Sequence, residues 1–196
     1  MDKENFTNIS SRIKKERRSK GLSQVALAKK LNISKLFADY GLHGGGWHMM
    51  YKNGKLNPHL DYAKHPKINI QRKLNLIIFL SSGWKKNWGG ESCFYFKNIK
   101  NKNMPGKLSI KIYPKFNRAL LFDVSNYGWH SVQRIKPKKV RKSIATYYLV
   151  PLPKKNIKRQ KALYAPTKNQ IGNKKVLKFI KMRSNPFSFS KVYKTK

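Results

Sequence analysis

Between residues 47 and 150 the chain is a series of short β-type runs, each closed by a turn residue. The runs are "WHMMY", "INIQRKLNLIIFL", "SCFYF", "LSIKIY", "RALLFDV", "WHSV" and "SIATYYLV". Gly54, Gly83, Gly89, Gly90, Pro105, Gly106, Pro114 and Pro137 punctuate them. Runs rich in Ile, Tyr, Phe and Trp fit a pleated, half-buried surface, and the glycines and prolines between them favour turns over helix. The expected class is therefore mainly β, an antiparallel sandwich or jelly roll, with no internal repeat. Upstream, "GLHGGGWH" at 41–48 sets four glycines in six residues, which no helix continues through.

The flanks read differently. Residues 1–40 form a basic segment with Ile13, Val25, Leu27, Ala28 and Leu31 at helical spacing around a stop at Gly21, and Ser23 is suited to cap a second helix. At the other end "NKKVLKFIKMR" predicts a short amphipathic helix after an Asn173 cap, with Val176, Leu177 and Ile180 turned toward the sheet. The expected organisation is a helical segment 1–40, a β core 41–152 and a basic C-terminal extension 153–196. Within the first of these, "RIKKERRSKGLSQVALAKKLNIS" resembles the first two helices of a phage-repressor helix-turn-helix through its G-L-S-Q and L-A-x-x-L spacings. The glycines at 44–46 arrive before the supporting helices of such a domain could form. A basic helix pair packed on the β core is the favoured reading, and DNA binding the alternative.

Charge bounds the partners. The chain carries 45 Lys and Arg against seven Asp and Glu, a formal +38. Such a surface attracts nucleic acid, anionic membrane or acidic substrates in a salt-dependent way. Lysine is also what AT-rich coding sequence favours, and here it is spread along the whole chain. Cys93 is the single cysteine, so no internal disulfide forms and an intracellular, reducing setting is expected. No segment reaches eighteen apolar residues, and the charged stretch at the start of the sequence shows no apolar core of signal-peptide type. The sequence-based expectation is a soluble, cytoplasmic protein with no membrane partner.

The scarcity of carboxylates makes "NPHLDY" at 57–62 stand out. His59 and Asp61 are two apart, so on an extended strand both side chains share a face and can share an ion. A lone H-x-D is weak evidence, but "YGWHSV" supplies His130 on another short run. Two imidazoles and one carboxylate leave three positions of an octahedral ion open, the facial arrangement of non-haem Fe(II) sites with a bidentate cosubstrate and O₂. A closed zinc shell would leave the next residues without a role. Those are Arg141 and Ser143 in "RKSIATYY", on one face of the last run, with Arg141 eleven residues after His130. A guanidinium fork there can hold a distal carboxylate bidentately, and the Ser143 hydroxyl can bond the same group.

With "YKNGKLNPHLDY", "RKLNLIIFL", "WGGE", "YPKFNRALLFD", "GWHSV" and "RKSIATYY" in this order, residues 41–150 resemble the Fe(II)- and 2-oxoglutarate-dependent dioxygenases of the prolyl 4-hydroxylase-like group. The resemblance implies a double-stranded β-helix in which His59, Asp61 and His130 bind Fe(II) and Arg141 anchors the 5-carboxylate of 2-oxoglutarate. It also implies a cosubstrate contact from Tyr51, pocket roles for Asn75 and Trp129, and a turn shaped by Gly89, Gly90 and Glu91. The implied reaction converts 2-oxoglutarate and O₂ to succinate and CO₂ while hydroxylating a protein or peptide side chain, with ascorbate dependence open. A small-molecule or nucleic-acid substrate is one alternative, to be recognised by a groove lined with Lys and Arg. A catalytically inactive nucleic-acid-binding protein is the other. Departures from the family pattern are Ser131 after the second histidine, where glycine is frequent, and a short N-terminal segment. His43, His48 and His65 are expected at the surface or in packing, Asp123 in a structural turn, and Cys93 in the core.

Overall fold

The computed structural model describes residues 15, 18–21, 23, 36–39, 41–42, 44–64, 69–152, 159 and 161–184. Two compact units divide the chain, Met1–Leu36 and Phe37–Lys196. In the first, Lys15, Arg18 and Ser19 are helical, and Gly21 at φ 63° donates its N–H to the Arg18 carbonyl at 2.9 Å, as a helix stop requires. The second predicted helix and the remainder of the helix-turn-helix-like stretch 12–34 lie outside the described residues.

Among the described residues the second unit holds ten strands: β1 Phe37–Ala38, β2 Gly46–Met50, β3 Leu56–Leu60, β4 Ile70–Phe79, β5 Ser92–Tyr95, β6 Leu108–Ile112, β7 Ala119–Asp123, β8 His130–Val132, β9 Arg141–Pro151 and β10 Leu163–Tyr164. One helix, α1, spans Lys174–Ser184. Two five-stranded sheets result. The first runs β1-β9-β4-β7, with β2 also paired to β9, and the second β10-β3-β8-β5-β6. All pairs are antiparallel, giving the jelly-roll double-stranded β-helix expected from the sequence.

Strand β9 shows why the sequence folds this way. Arg141, Ser143, Ala145, Tyr147 and Leu149 are buried while the residues between them are partly or fully exposed, a strict period of two. Its partner β4 pairs on both sides, from Ile70↔Pro151 to Phe79↔Ser143 along β9 and across to β7. Two apolar clusters anchor the unit: Ala63, Val124, Tyr147 and Leu149 in one, Leu60, Trp129 and Ala165 in the other. Trp129 is 2% exposed, and burial of a side chain that size contributes on the order of 3 kcal/mol.

Two elements depart from the sequence reading, and the strand carrying His59 is irregular. Strand β1 lies in the stretch assigned to helix and pairs Phe37 with Leu149. Strand β3 contains Pro58, which cannot donate to a ladder; its pairing with β8 is irregular between Leu56 and His59, a place where proline is tolerated. Strand β10, within the stretch read only as a basic C-terminal extension with a short helix, covers the edge of β3 through Leu163↔Leu60 and Tyr164↔His59. Helix α1 is capped as expected, the Val176 N–H donating to Asn173 Oδ1 at 3.1 Å. It lies against β10 with Val176, Leu177 and Ile180 partly buried, and Ser184 Oγ accepts the Tyr164 N–H at 3.1 Å. No helix among the described residues is long and apolar enough to cross a membrane.

Candidate metal centre and anion pocket

His59 on β3 and His130 on β8 are direct cross-strand partners, so their rings project from one face, with centroids 4.1 Å apart. Asp61 follows β3 by one residue and turns back toward them. Its Oδ1 is 3.5 Å from His59 Nε2 and its Oδ2 is 3.8 Å from His130 Nε2. One ligand atom from each of the three residues falls within 4.8 Å of the others. The other nitrogen of each ring is already used: His59 Nδ1 donates to the Asn57 carbonyl at 2.9 Å and His130 Nδ1 to the Gly128 carbonyl at 2.8 Å. A carbonyl only accepts, so the proton sits on Nδ1 and both Nε2 lone pairs face the centre.

Asp61 is held from behind. Asn75 Nδ2 and the Tyr147 hydroxyl both donate to Oδ2, at 3.1 and 3.0 Å. That leaves Oδ1 the freer oxygen, a monodentate ligand position. Burial raises the Asp61 pKa, but His130, His59 and Asn75 together outweigh it and hold the carboxyl well below the usual range. Burial, then the neighbouring His59, pulls His130 down to about 4. The centre is thus two imidazole Nε2 atoms and one carboxylate converging in a largely buried site. This is the donor set of a divalent transition ion, and the residues present fit Fe(II).

A cavity of about 410 Å³ opens from this centre and reaches Arg141 and Ser143. Arg141 is 3% exposed and makes no ion pair among the described residues. Its Nε donates to the Gly90 carbonyl at 2.8 Å, while Nη1 and Nη2 reach Ser143 Oγ and Ser92 Oγ at 3.3 Å. Gly90, at φ 78°, makes the approach feasible: a Cβ there would stand 3.1 Å from Arg141 Cδ. A buried guanidinium whose partners are all neutral, facing a cavity, is a site for a carboxylate.

The fold therefore brings His59, Asp61, His130, Arg141 and Ser143 to one cavity. Tyr51 is not brought there: it follows β2, is 57% exposed, and does not line the cavity. Residues that sequence reasoning left out are Tyr147, Ser92 and His48. Tyr147 has the parity of Arg141 and Ser143 on β9, a signal that was present in the alternation. His48, expected in packing, stands opposite Ser143 in the β2–β9 register and lines the cavity; burial, then Arg141, lowers its pKa. Nothing in the sequence pairs those two strands in that register.

Other expectations resolve simply. Asp123 ends β7 in a surface ion pair with Lys73 at 2.8 Å, Cys93 is fully buried, and the Glu91 carbonyl accepts the Gln133 N–H at 3.0 Å. Ser131 bonds the Tyr95 hydroxyl at 2.8 Å, which gives the unusual serine a partner. His43 and His65 lie outside the described residues.

Comparison with known proteins places this geometry. No curated protein matches the chain. Among solved structures, a prolyl hydroxylase from Trichoplax adhaerens, in complex with a hypoxia inducible factor oxygen degradation domain peptide fragment, is 22% identical. The match has a TM-score of 0.40 and covers 52% of this chain and 41% of that one. A Pseudomonas putida prolyl-4-hydroxylase is 17% identical, with a TM-score of 0.41 over 63% of this chain and 61% of that one. A viral collagen prolyl hydroxylase from Paramecium Bursaria Chlorella virus-1, as its 2OG complex, is 16% identical, with a TM-score of 0.42 over 73% and 72%. This chain spans less than two thirds of the first two. Residues 46–149, from the start of β2 to near the end of β9, match the sequence model of the 2OG-Fe(II) oxygenase superfamily, and with more than half of its length so matched the chain belongs to that superfamily.

Proposed function

We propose that the protein is an Fe(II)- and 2-oxoglutarate-dependent dioxygenase that hydroxylates a protein or peptide side chain. In this reading His59, Asp61 and His130 hold the iron, and Arg141 with Ser143 holds the distal carboxylate of 2-oxoglutarate. The observation that carries it is the single cavity joining a three-ligand centre to an unpaired buried guanidinium. When bound, the iron supplies the O₂ chemistry, in which 2-oxoglutarate becomes succinate and CO₂ and one oxygen atom enters a substrate C–H bond. The residues of the chain do the rest. The two Nδ1–H bonds fix the imidazoles, Asn75 and Tyr147 fix the carboxylate, and the apolar walls exclude water.

The walls also bear on the substrate. Apart from His48 and the residues of the two anchor points, the lining is neutral, including Ile77, Phe94, Leu120 and Phe122, and no lysine contributes. In a chain with 45 Lys and Arg, that absence among the described residues favours an uncharged side chain over a polyanion. Trp47 and Met49 on β2 are 68% and 50% exposed beside the cavity, surfaces suited to an extended peptide. The catalytic core is assigned to residues 41–152. An intracellular setting rests on Cys93, buried and unpaired.

The test is succinate release from 2-oxoglutarate with added Fe(II), in air. The wild type should release it, most strongly with peptide, and His59→Ala and Asp61→Ala should not. A wild type that binds neither Fe(II) nor 2-oxoglutarate without oxygen would sink the assignment. Stimulation by single-stranded nucleic acid instead of peptide would overturn the substrate part alone.

A further inference from the structure

Behind the metal centre lies a second buried arginine that the reaction does not call for. Arg72 on β4 is 1% exposed. Its guanidinium carbon sits 3.5 Å from the ring centroid of Tyr62 and 3.5 Å from that of Tyr147, so the planar group is clamped between two aromatic faces. Nη2 donates to the Tyr62 hydroxyl. Nε has no hydrogen-bond partner among the described residues, and the side chain makes no ion pair among them.

A buried charge with no ion pair among the described residues is costly, more so than packing needs require. The two cation–π contacts offset part of that cost. What the charge achieves there is legible from its neighbours. One of the two rings belongs to Tyr147, whose hydroxyl donates to Asp61 Oδ2 at 3.0 Å. A cation over the face of a phenol draws electron density from its oxygen and strengthens the O–H as a donor. The same contact locks the ring plane, and with it the direction of the hydroxyl. Tyr62, the other ring, directly follows Asp61 in the chain, so the clamp grips both the segment that carries the carboxylate and the group that bonds it. The glycine cluster closes the clamp from above, since a Cβ on Gly44 would stand 3.1 Å from both Arg72 Nη2 and the Tyr62 hydroxyl.

We propose that Arg72 is a positioning residue of the metal centre: stacked between Tyr62 and Tyr147, it keeps the Tyr147 hydroxyl on Asp61 Oδ2 and so presents Oδ1 to the metal. This rests on the assignment of Asp61 as a ligand. It differs from the hydrogen bonds already described in that Arg72 touches neither the ligand nor the cavity, and works through Tyr147.

The experiment uses Co(II), whose d–d absorption reports both affinity and ligand geometry, added to the full chain without 2-oxoglutarate. Arg72→Met and Tyr147→Phe should each weaken Co(II) binding by about tenfold or more and change the band pattern in the same way. The double variant should bind no more weakly than the weaker single one, because both changes remove one linkage. Multiplying effects in the double variant would overturn the proposal. So would an Arg72→Met protein that melts earlier yet keeps the wild-type Co(II) affinity and spectrum, which marks a structural role only. Should Arg72→Met fail to fold, Arg72→Lys decides, since it keeps the charge but cannot lie flat between two rings. It should show the same loss, absent in the Tyr147→Phe background, and wild-type Co(II) binding by Arg72→Lys overturns the idea. A wild type that does not bind Co(II) at all removes the metal assignment and this proposal together, whereas normal wild-type binding with unaffected variants removes this proposal alone.

Discussion

Replacing Arg141 with methionine should separate binding from stability. Burial pulls its guanidinium down to about 10, so the charged form is disfavoured in the folded protein. At about 1.4 kcal/mol per pKa unit, that is on the order of 3 kcal/mol, with little screening to discount because the group is 3% exposed. The sign follows from the direction of the shift. The unfolded chain holds this proton more tightly, so below about pH 10 the full penalty weighs on the fold. Against it stand hydrogen bonds to Gly90, Ser92 and Ser143, each worth about 1 kcal/mol. The two sides nearly cancel. Methionine of similar length should therefore shift Tm by only about 2–4 °C in either direction. Cosubstrate binding has no such compensation: two charge-assisted bonds to a carboxylate are worth about 3–6 kcal/mol, or roughly 10²–10⁴ in Kd. Calorimetric titration of 2-oxoglutarate into the anaerobic Fe(II) form, with thermal melts alongside, measures both. A Tm that falls by more than about 10 °C while 2-oxoglutarate affinity stays at the wild-type level would refute the reasoning, because Arg141 would then be structural.

Three further outcomes follow from the same geometry. Gly90→Ala places a side chain at φ 78° and 3.1 Å from Arg141 Cδ; it should cost about 1–2 kcal/mol in denaturant melts and weaken 2-oxoglutarate binding, and unchanged binding would contradict the crowding. The metal-free protein should lose stability as pH falls from about 6.5 toward about 4, since His130 titrates at about 4 when folded and 6.5 when free; the unfolded state takes up the proton first, and urea midpoints across that range should slope accordingly. Asp123→Asn breaks an exposed ion pair with Lys73 and should cost less than about 1 kcal/mol while leaving metal affinity untouched, so a loss of metal affinity would show Asp123 to be more than structural.

How far these features were legible in the sequence depended on whether their signal was local. The alternation in "RKSIATYY" carries Arg141, Ser143 and Tyr147 on one buried face, and β9 follows it residue for residue. His59 and Asp61 declared themselves by spacing. The end of strand β3 did not: it stops at Leu60, one residue before Asp61, and Pro58 within it is accommodated by the irregular pairing with β8. Tyr51 and His48 show the limit of reasoning by motif. Both belong to the β2 region, but which side chains face the cavity is set by register against β9, where His48 meets Ser143. Such register is a long-range property that no window of sequence contains. Arg72 was hidden for a different reason: among so many basic residues, one more arginine carries no mark until its two aromatic neighbours are known.

The charge of the chain and the chemistry of its centre pull in opposite directions, and salt should reveal it. The formal +38 favours the approach of dianionic 2-oxoglutarate and opposes that of Fe(II). Near the centre Arg159 bonds the Asp61 backbone carbonyl at 2.7 Å, Arg141 lines the same cavity, and Arg72 stacks on the Tyr147 ring whose hydroxyl bonds the Asp61 carboxylate. A long-range positive field therefore helps one component of the site and hinders the other. The Debye length falls from about 10 Å at 0.1 M to about 3 Å at 1 M, which removes the long-range part and leaves buried contacts almost intact. Raising salt over that range should weaken 2-oxoglutarate binding to the metal-loaded protein and strengthen Co(II) binding to the metal-free one. Each bound partner also offsets the field felt by the other, so 2-oxoglutarate should tighten the metal by more at low salt than at high. Salt dependences of equal sign for the two would show that the surface lysines act on neither, and that their number reflects coding composition rather than function.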